Sequence, residues 1–224
     1  MIINTAERFL VLIQHPERSR FLLPGHVRSA GLVGSVLLDL SNEKNIGIEQ
    51  GRLILINADT EISAAHKQVL ARIRESEKSR KIRTWVRKLS RKSKKYQNEV
   101  LLGLQNKGIV EIVQRRFLIF PYHRTRLINK DFREHLIGEI RKIIFHDAPV
   151  TNENSLILGL VDACSMYRII CRDRRERKLC KAKIKDLIRS DSISRGVDEV
   201  IRATQAAVIA AVVASSAAAS AGSK

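Results

Sequence analysis

Apolar residues recur at helical spacing over most of the chain. Val27, Leu32, Val36, Leu37 and Leu40 form one stripe through HVRSAGLVGSVLLDL, which predicts a helix of about four turns stopped by Asn42 and Gly47. Ile62, Ala65, Val69, Leu70 and Ile73 repeat the period, and so do Ile82, Trp85, Val86 and Leu89. Residues 96–107 predict another helix, with Gly108 placed to end it in the left-handed conformation. The run NIGIEQGRLILIN alternates β-branched stretches about Gln50-Gly51 and predicts a hairpin. A second hairpin is predicted from GIVEIV and FLIFPYH, which flank a polar corner at Gln114, Arg115 and Arg116. Beyond Asn129 come three helical segments: DFREHLIGEIRKIIF, NSLILGLVDACSMYRIIC and RERKLCKAKIKDLIR. The middle one is apolar nearly all round, as a core helix is. The fold class that follows is mainly α: a single-domain helical bundle around a central apolar helix, with two small β-hairpins. We expect the domain to cover residues 1–214 and a frayed Ala/Ser-rich tail to occupy 215–224.

Neither end reads as a membrane or export signal. MIINTAERFLVLIQ carries an acidic residue before a short apolar run, with no basic leader and no small-residue cleavage site, so it is not read as a signal peptide. The segment 203–223 is uncharged and long enough to span a bilayer, but it is mostly Ala with Ser, Thr and Gln. It is read as a terminal helix packed on the core rather than a membrane span.

Charge changes the picture. The 224 residues hold 41 Lys and Arg against 23 Asp and Glu, a net charge of +18, with 44% hydrophobic residues to build a core. Twelve of the cations lie between Arg72 and Lys95 with only Glu75 and Glu77 to oppose them, and eight more lie between Arg172 and Lys185. Like charges this dense repel within a Debye length of about 8 Å, so an anion is the expected partner. Arg87, Arg91, Lys92, Lys94 and Lys95 are the candidate phosphate contacts.

Electrostatics does not separate a lipid surface from a nucleic acid. The second hairpin bears on that choice, because Phe117, Leu118, Ile119 and Phe120 stand next to Arg115, Arg116, His123, Arg124 and Arg126. An apolar tip ringed by cations fits a wedge into a headgroup layer. The alternative is a strand that buries Leu118 and Phe120. A helix followed by a two-stranded ribbon also resembles part of a winged helix-turn-helix, which keeps nucleic acid as the second reading. Aromatics at 4% argue against a stacking platform for single strands.

Catalytic chemistry finds no motif. There is no phosphate-binding Gly-rich loop, no nucleophile elbow and no zinc-protease signature. Gly31-Leu32-Val33-Gly34 falls within a helical stripe and is read as close helix packing. Of the six His, only His123 and His135 merit inspection as bases. Cys164, Cys171 and Cys180 lack metal-ligand spacing and are read as reduced, buried thiols. The chain is read as a non-enzyme without a cofactor.

The order of motifs resembles the Golgi phosphoprotein 3 family from about Ala6 to Val213. The resemblance rests on AGLVGSVLLDL, a turn and hairpin leading to GRLIL, the isolated Trp85 in TWVRKLS, LLGLQNKGIVEI leading to FLIF, SLILGLVDA and QAAVIAAVVA. It implies a helical bundle on the cytosolic face of a membrane, binding phosphatidylinositol 4-phosphate through a basic pocket and recruiting membrane-enzyme tails. It also implies a hairpin used in membrane contact and self-association. The family's pocket Trp and Arg fall here on Pro24 and Val33, and its paired Arg on Lys94 and Gln97, so only Lys94 keeps a cation. The segment between Trp85 and Tyr96 is shorter than in eukaryotic members. The expectation is a cytoplasmic, peripherally membrane-associated protein that binds an anionic surface or phosphoinositide, with nucleic acid the lesser alternative.

Overall fold

A nine-residue helix is marginal alone in water, yet the chain opens on one, α1 (Thr5–Ile13), stabilised by distant residues. The computed structural model describes residues 2–76, 78–117, 120–189 and 202–214, the side chains of 114–117, 120–123 and 189 excepted. At the start of α1, Asn4 and Glu7 form a reciprocal capping box, the Glu7 amide donating to Asn4 Oδ1 at 2.9 Å. Asp39 accepts the amides of Thr5 at 2.9 Å and Ala6 at 3.1 Å. The buried Asp39 carboxylate also meets His66 Nε2 at 3.0 Å, and His66 Nδ1 lies 2.7 Å from Ser63 Oγ. Glu7, buried among α1 neighbours, pairs with Lys107 Nζ at 2.6 Å.

The hub is α2 (Gly25–Asn42), buried continuously from Ala30 to Leu40. It packs against α1, α3 (Ala64–Arg74), α4 (Ile82–Ser90), α5 (Ser93–Asn106) and α7 (Asn152–Ala163). Two glycines make room for this. A Cβ at Gly31 would run into the Phe9 ring and sit 2.8 Å from Cys164 Sγ; one at Gly34 would lie 2.7 Å from Val208 Cγ2. Close packing, as read from the sequence, is what these glycines serve. The helix ends through Lys44 at φ 56°, not through Gly47, which pairs with Ile54 in the first hairpin.

That hairpin joins β1 (Ile46–Glu49) to β2 (Arg52–Leu55) through Gln50 and Gly51, both at positive φ, as a tight two-residue turn requires. At the end of α5, Gly108 at φ 67° lets Ile109 N reach Leu104 O at 3.0 Å. The second hairpin departs from expectation. Gln114, Arg115 and Arg116 are not its corner: they lie within β3 (Val110–Phe117) and pair with His123, Tyr122 and Pro121 of β4 (Phe120–Leu127). Buried Val110 and Leu127 fix the register at the root, and the pairing runs out to Phe117 and Phe120; residues 118–119 lie outside the described residues.

After α6 (Lys130–His146), the helix expected through Cys171 is two helices. α7 stops at Ala163, Ser165 turns left-handed at φ 52°, and Met166 N closes onto Val161 O at 2.8 Å. The Tyr167 hydroxyl donates to Asp162 Oδ1 across that turn, and α8 (Tyr167–Ile170) begins there. α9 (Arg174–Arg189) follows. A last helix, α10, covers 202–214 and buries Thr204, Ala207 and Val208 against the core. The expected frayed tail, 215–224, lies outside the described residues. Among the described residues no helix is long and apolar enough to cross a membrane.

Candidate functional site

The outer face of α4 is set by its inner one. Ile82, Trp85, Val86 and Leu89 are each at most 4% exposed, so Arg83, Arg87, Lys88 and Arg91 point the other way. Burying Trp85 alone contributes at most about 4–6 kcal/mol, from roughly 150–250 Å² at about 25 cal/mol per Å². This holds the helix against α2 despite the charge it carries. Lys88 Nζ folds back to 5.1 Å above the Trp85 ring.

Arg83, Arg87 and Arg91 recur every four residues, about 6 Å apart along the axis. Together they line a groove of about 480 Å³. His26 and Ser29 of α2 line it too, and Ala210, Ala211 and Ala214 of α10 form the facing wall. Among the described residues no carboxylate lines the groove. Ser90 Oγ, also in the lining, is buried without a hydrogen-bond partner. Of the twelve cations from Arg72 to Lys95, eleven are exposed and Arg80 is half-buried. Among the described residues, Arg72 alone of the twelve is in an ion pair, 3.5 Å from Glu75.

α4 breaks from α5 at Arg91–Lys92, and Ser93 Oγ donates to Ser29 Oγ at 2.8 Å, holding the start of α5 to the start of α2. The sequence-predicted contacts Arg87 and Arg91 therefore share the groove, while Lys92, Lys94 and Lys95 are exposed at the first turn of α5. Arg83 was missed, although its place four residues before Arg87 puts it on the same face.

Of the positions matched to the family's pocket, Pro24 and Gln97 are bridged at one corner by Arg28, whereas Val33 is turned away from it. Val33 is fully buried in the core and faces no ligand; the period of α2 already sets it with Ala30 and Leu37. Pro24 is the exposed N-cap of α2. The cation at that corner is Arg28, which the sequence reading passed over. Its Nε donates to Gln97 Oε1 at 3.0 Å, its guanidinium stacks 4.6 Å from the Phe21 ring, and burial lowers its pKa.

The hairpin register makes Phe117 and Phe120 partners at the distal end, with Arg115 opposite Tyr122 and Arg116 opposite Pro121. The side chains of Arg115, Arg116, Phe117 and Phe120, and all of Leu118 and Ile119, lie outside what is described. The hairpin is rooted at the far end of α5, so about 20 Å of helix separates its root from Lys92–Lys95.

Elsewhere the chemistry differs. A larger cavity of about 830 Å³ at the other end of α2 is lined by Asp39, Glu43, Asp59, Glu61 and Glu153 against Arg8 and Lys107, the wrong sign for an anion. The Ser63–His66–Asp39 chain has triad-like distances, but His66 is fully buried and Asp39 is committed to the α1 amides. It is a structural pin. His135 is exposed, 3.7 Å from Glu139. Among the described residues no cluster of His, Cys, Asp or Glu could hold a metal. Cys164, Cys171 and Cys180 are buried thiols, and burial pushes Cys164 up to about 12.

A family model described as Golgi phosphoprotein 3 (GPP34) matches residues 6–204, most of the chain. No curated protein matches it.

Proposed function

The chain belongs to the Golgi phosphoprotein 3 family, and from that premise we propose that it is a peripheral membrane protein that binds anionic lipid headgroups. The family is a non-enzymatic, lipid-binding and adaptor family. The single observation that carries the reading is the row Arg83, Arg87 and Arg91, lining one groove with no carboxylate and no acidic partner among the described residues. Arg87, Arg91, Lys92, Lys94 and Lys95 bind phosphate oxygens in this reading. Guanidinium groups take phosphate oxygens in pairs, and lysines act as point charges. Near an anionic leaflet each cation contributes about 1 kcal/mol, so five give roughly 5 kcal/mol before ordering costs. That suits reversible recruitment. The hairpin segment Arg115–Phe120 adds apolar anchorage in the same proposal.

Vesicle flotation tests it. We expect recovery with phosphatidylserine-containing vesicles, none with phosphatidylcholine alone, and a fall as salt rises. Equal recovery on both would count against the reading. Retardation of duplex DNA at physiological salt, with sequence preference, would move the assignment to nucleic acid.

A further inference from the structure

The second dense run of cations lies on α9, and the fold sorts it into two sets. Cys180 and Ile184 are fully buried, which fixes the rotation of the helix on the core. Cations near that inner side are engaged: Arg177 Nε donates to the Asp173 carbonyl at 3.1 Å, and Lys183 pairs with Asp147. Two acids of the first turn are engaged as well. Asp173 Oδ1 caps the amides of Arg175 and Glu176, and Glu176 holds Arg141. Arg174, Lys178, Lys181 and Lys185 are left. All four are exposed, and among the described residues none of their side chains has an ion pair or hydrogen bond.

At about 100° per residue these four fall within about 60° of arc, one stripe about 17 Å long. Asp186, next to Lys185, stands about 100° away around the helix. Like charges four residues apart oppose helix formation, and Arg174 sits in the first turn, where the helix dipole disfavours a cation. Among the described residues nothing offsets these costs, so the stripe calls for an anion from outside.

The rest of the exposed face identifies that anion. Entry into a headgroup layer needs apolar side chains beside the cations, and this face offers only Leu179 and Ala182, with Asp186 among them. A single strand needs aromatic platforms, and α9 has no aromatic residue. A duplex needs only regular positive charge: with one phosphate per about 3.4 Å of each strand, the stripe runs along about five. A helix about 10–12 Å across also fits a major groove about 12 Å wide. By contrast, Arg83, Arg87 and Arg91 are recessed in a groove walled by α10, which a rod-shaped duplex does not enter.

We propose that the exposed stripe of α9 docks the phosphate backbone of duplex DNA, without regard to base sequence. The proposal goes beyond the membrane reading and does not rest on it. α9 packs on α6, α7 and α8, whereas α4 packs on α2, so the two cationic surfaces are separate. The stripe holds no Asn or Gln to pair with base edges, which is why it reads charge and not sequence.

The test is fluorescence anisotropy of the full chain with a labelled mixed-sequence duplex across a salt series, with vesicle flotation run in parallel. We expect a Kd in the roughly 1–100 μM range of non-specific binding at physiological salt. Lys178→Gln, Lys181→Gln and Lys185→Gln together should weaken binding about tenfold or more, and lower the slope of log K against log salt by about 2.7, at about 0.9 per lost contact. Flotation should stay as in wild type. Arginine at the same three positions should keep both affinity and slope. Arg83→Gln with Arg87→Gln and Arg91→Gln should lower flotation and spare the duplex. If circular dichroism shows that the glutamine triple loses helix, Lys178→Gln with Lys185→Gln replaces it, with a slope change of about 1.8. Equal duplex binding by wild type and a folded glutamine variant overturns the proposal, as does a larger loss from the α4 variant than from the α9 one. A wild-type chain that floats with anionic vesicles but leaves the duplex free sinks the DNA face alone. A glutamine variant that stops floating while still holding the duplex hands the stripe to the membrane and ends the proposal.

Discussion

Replacing Gly31, Gly34 and Gly138 by alanine, one at a time, separates helix propensity from packing within one protein. Each glycine lies inside a helix, so alanine gains roughly 0.5–1 kcal/mol from propensity at every site. At Gly138, in α6, a Cβ meets nothing within 4 Å, so the gain stands and the variant should be more stable by about that amount. At Gly34 the new Cβ falls 2.7 Å from Val208 Cγ2, 3.4 Å from Thr204 Cγ2 and 3.5 Å from Leu160. Overpacking of this kind costs about 1–3 kcal/mol, so the net change is a loss of up to about 2 kcal/mol. Gly31 is worse placed, since its Cβ would meet the rigid Phe9 ring as well as Cys164 Sγ, and a loss of about 2 kcal/mol or more is expected there. Urea unfolding with a common slope m gives the three values, and in a chain of 224 residues each kcal/mol corresponds to about 2–4 °C in Tm. Three gains, or a Gly31→Ala variant as stable as wild type, would refute the packing of α1, α7 and α10 on α2.

Two further predictions concern the polar groups. Asp39→Ala leaves the Thr5 and Ala6 amides and the buried His66 ring without their acceptor, and should cost about 3 kcal/mol or more in urea unfolding; Asp39→Asn keeps one acceptor and should cost less. Equal stability of Asp39→Ala and wild type would discard the pin. Glu176 is held down to about 2, first by Arg141 and then by the Arg172 amide. A depressed folded pKa contributes stability above the unfolded carboxylate value near 4.5 that is lost as pH falls towards about 2. The gap in urea midpoint between wild type and Glu176→Gln should therefore close between about pH 5 and pH 2, and a gap that persists at pH 2 contradicts the assignment.

The parts of the fold read from the sequence are those that one stretch decides alone. The stripes of α2 and α4 carry enough period to fix which face is buried, and the cationic face of α4 follows from Trp85 and its neighbours. Gln50-Gly51 and Gly108 are local backbone demands, equally visible. The failures are long-range. α1 has a readable capping box at Asn4 and Glu7, but its stability comes from Asp39, His66 and Lys107. The break at Ser165 interrupts an unbroken apolar pattern and depends on Tyr167 reaching back to Asp162. The hairpin corner was misplaced because polarity, rather than strand register, was taken to mark the turn. Arg87, Arg91 and the lysines were legible as charge, whereas the groove was not, since its second wall arrives with α10 more than a hundred residues later.

The straight run of α5 between the lysine cluster and the root of the second hairpin sets a geometry for contact with a plane. A body touching a flat sheet at one spot can rock and spin about that spot. Two footholds joined by a rigid strut remove one axis of rocking and leave only a roll about the line between them, so a protein held at the lysine end of α5 and through the hairpin would land with the direction of that line set by the surface.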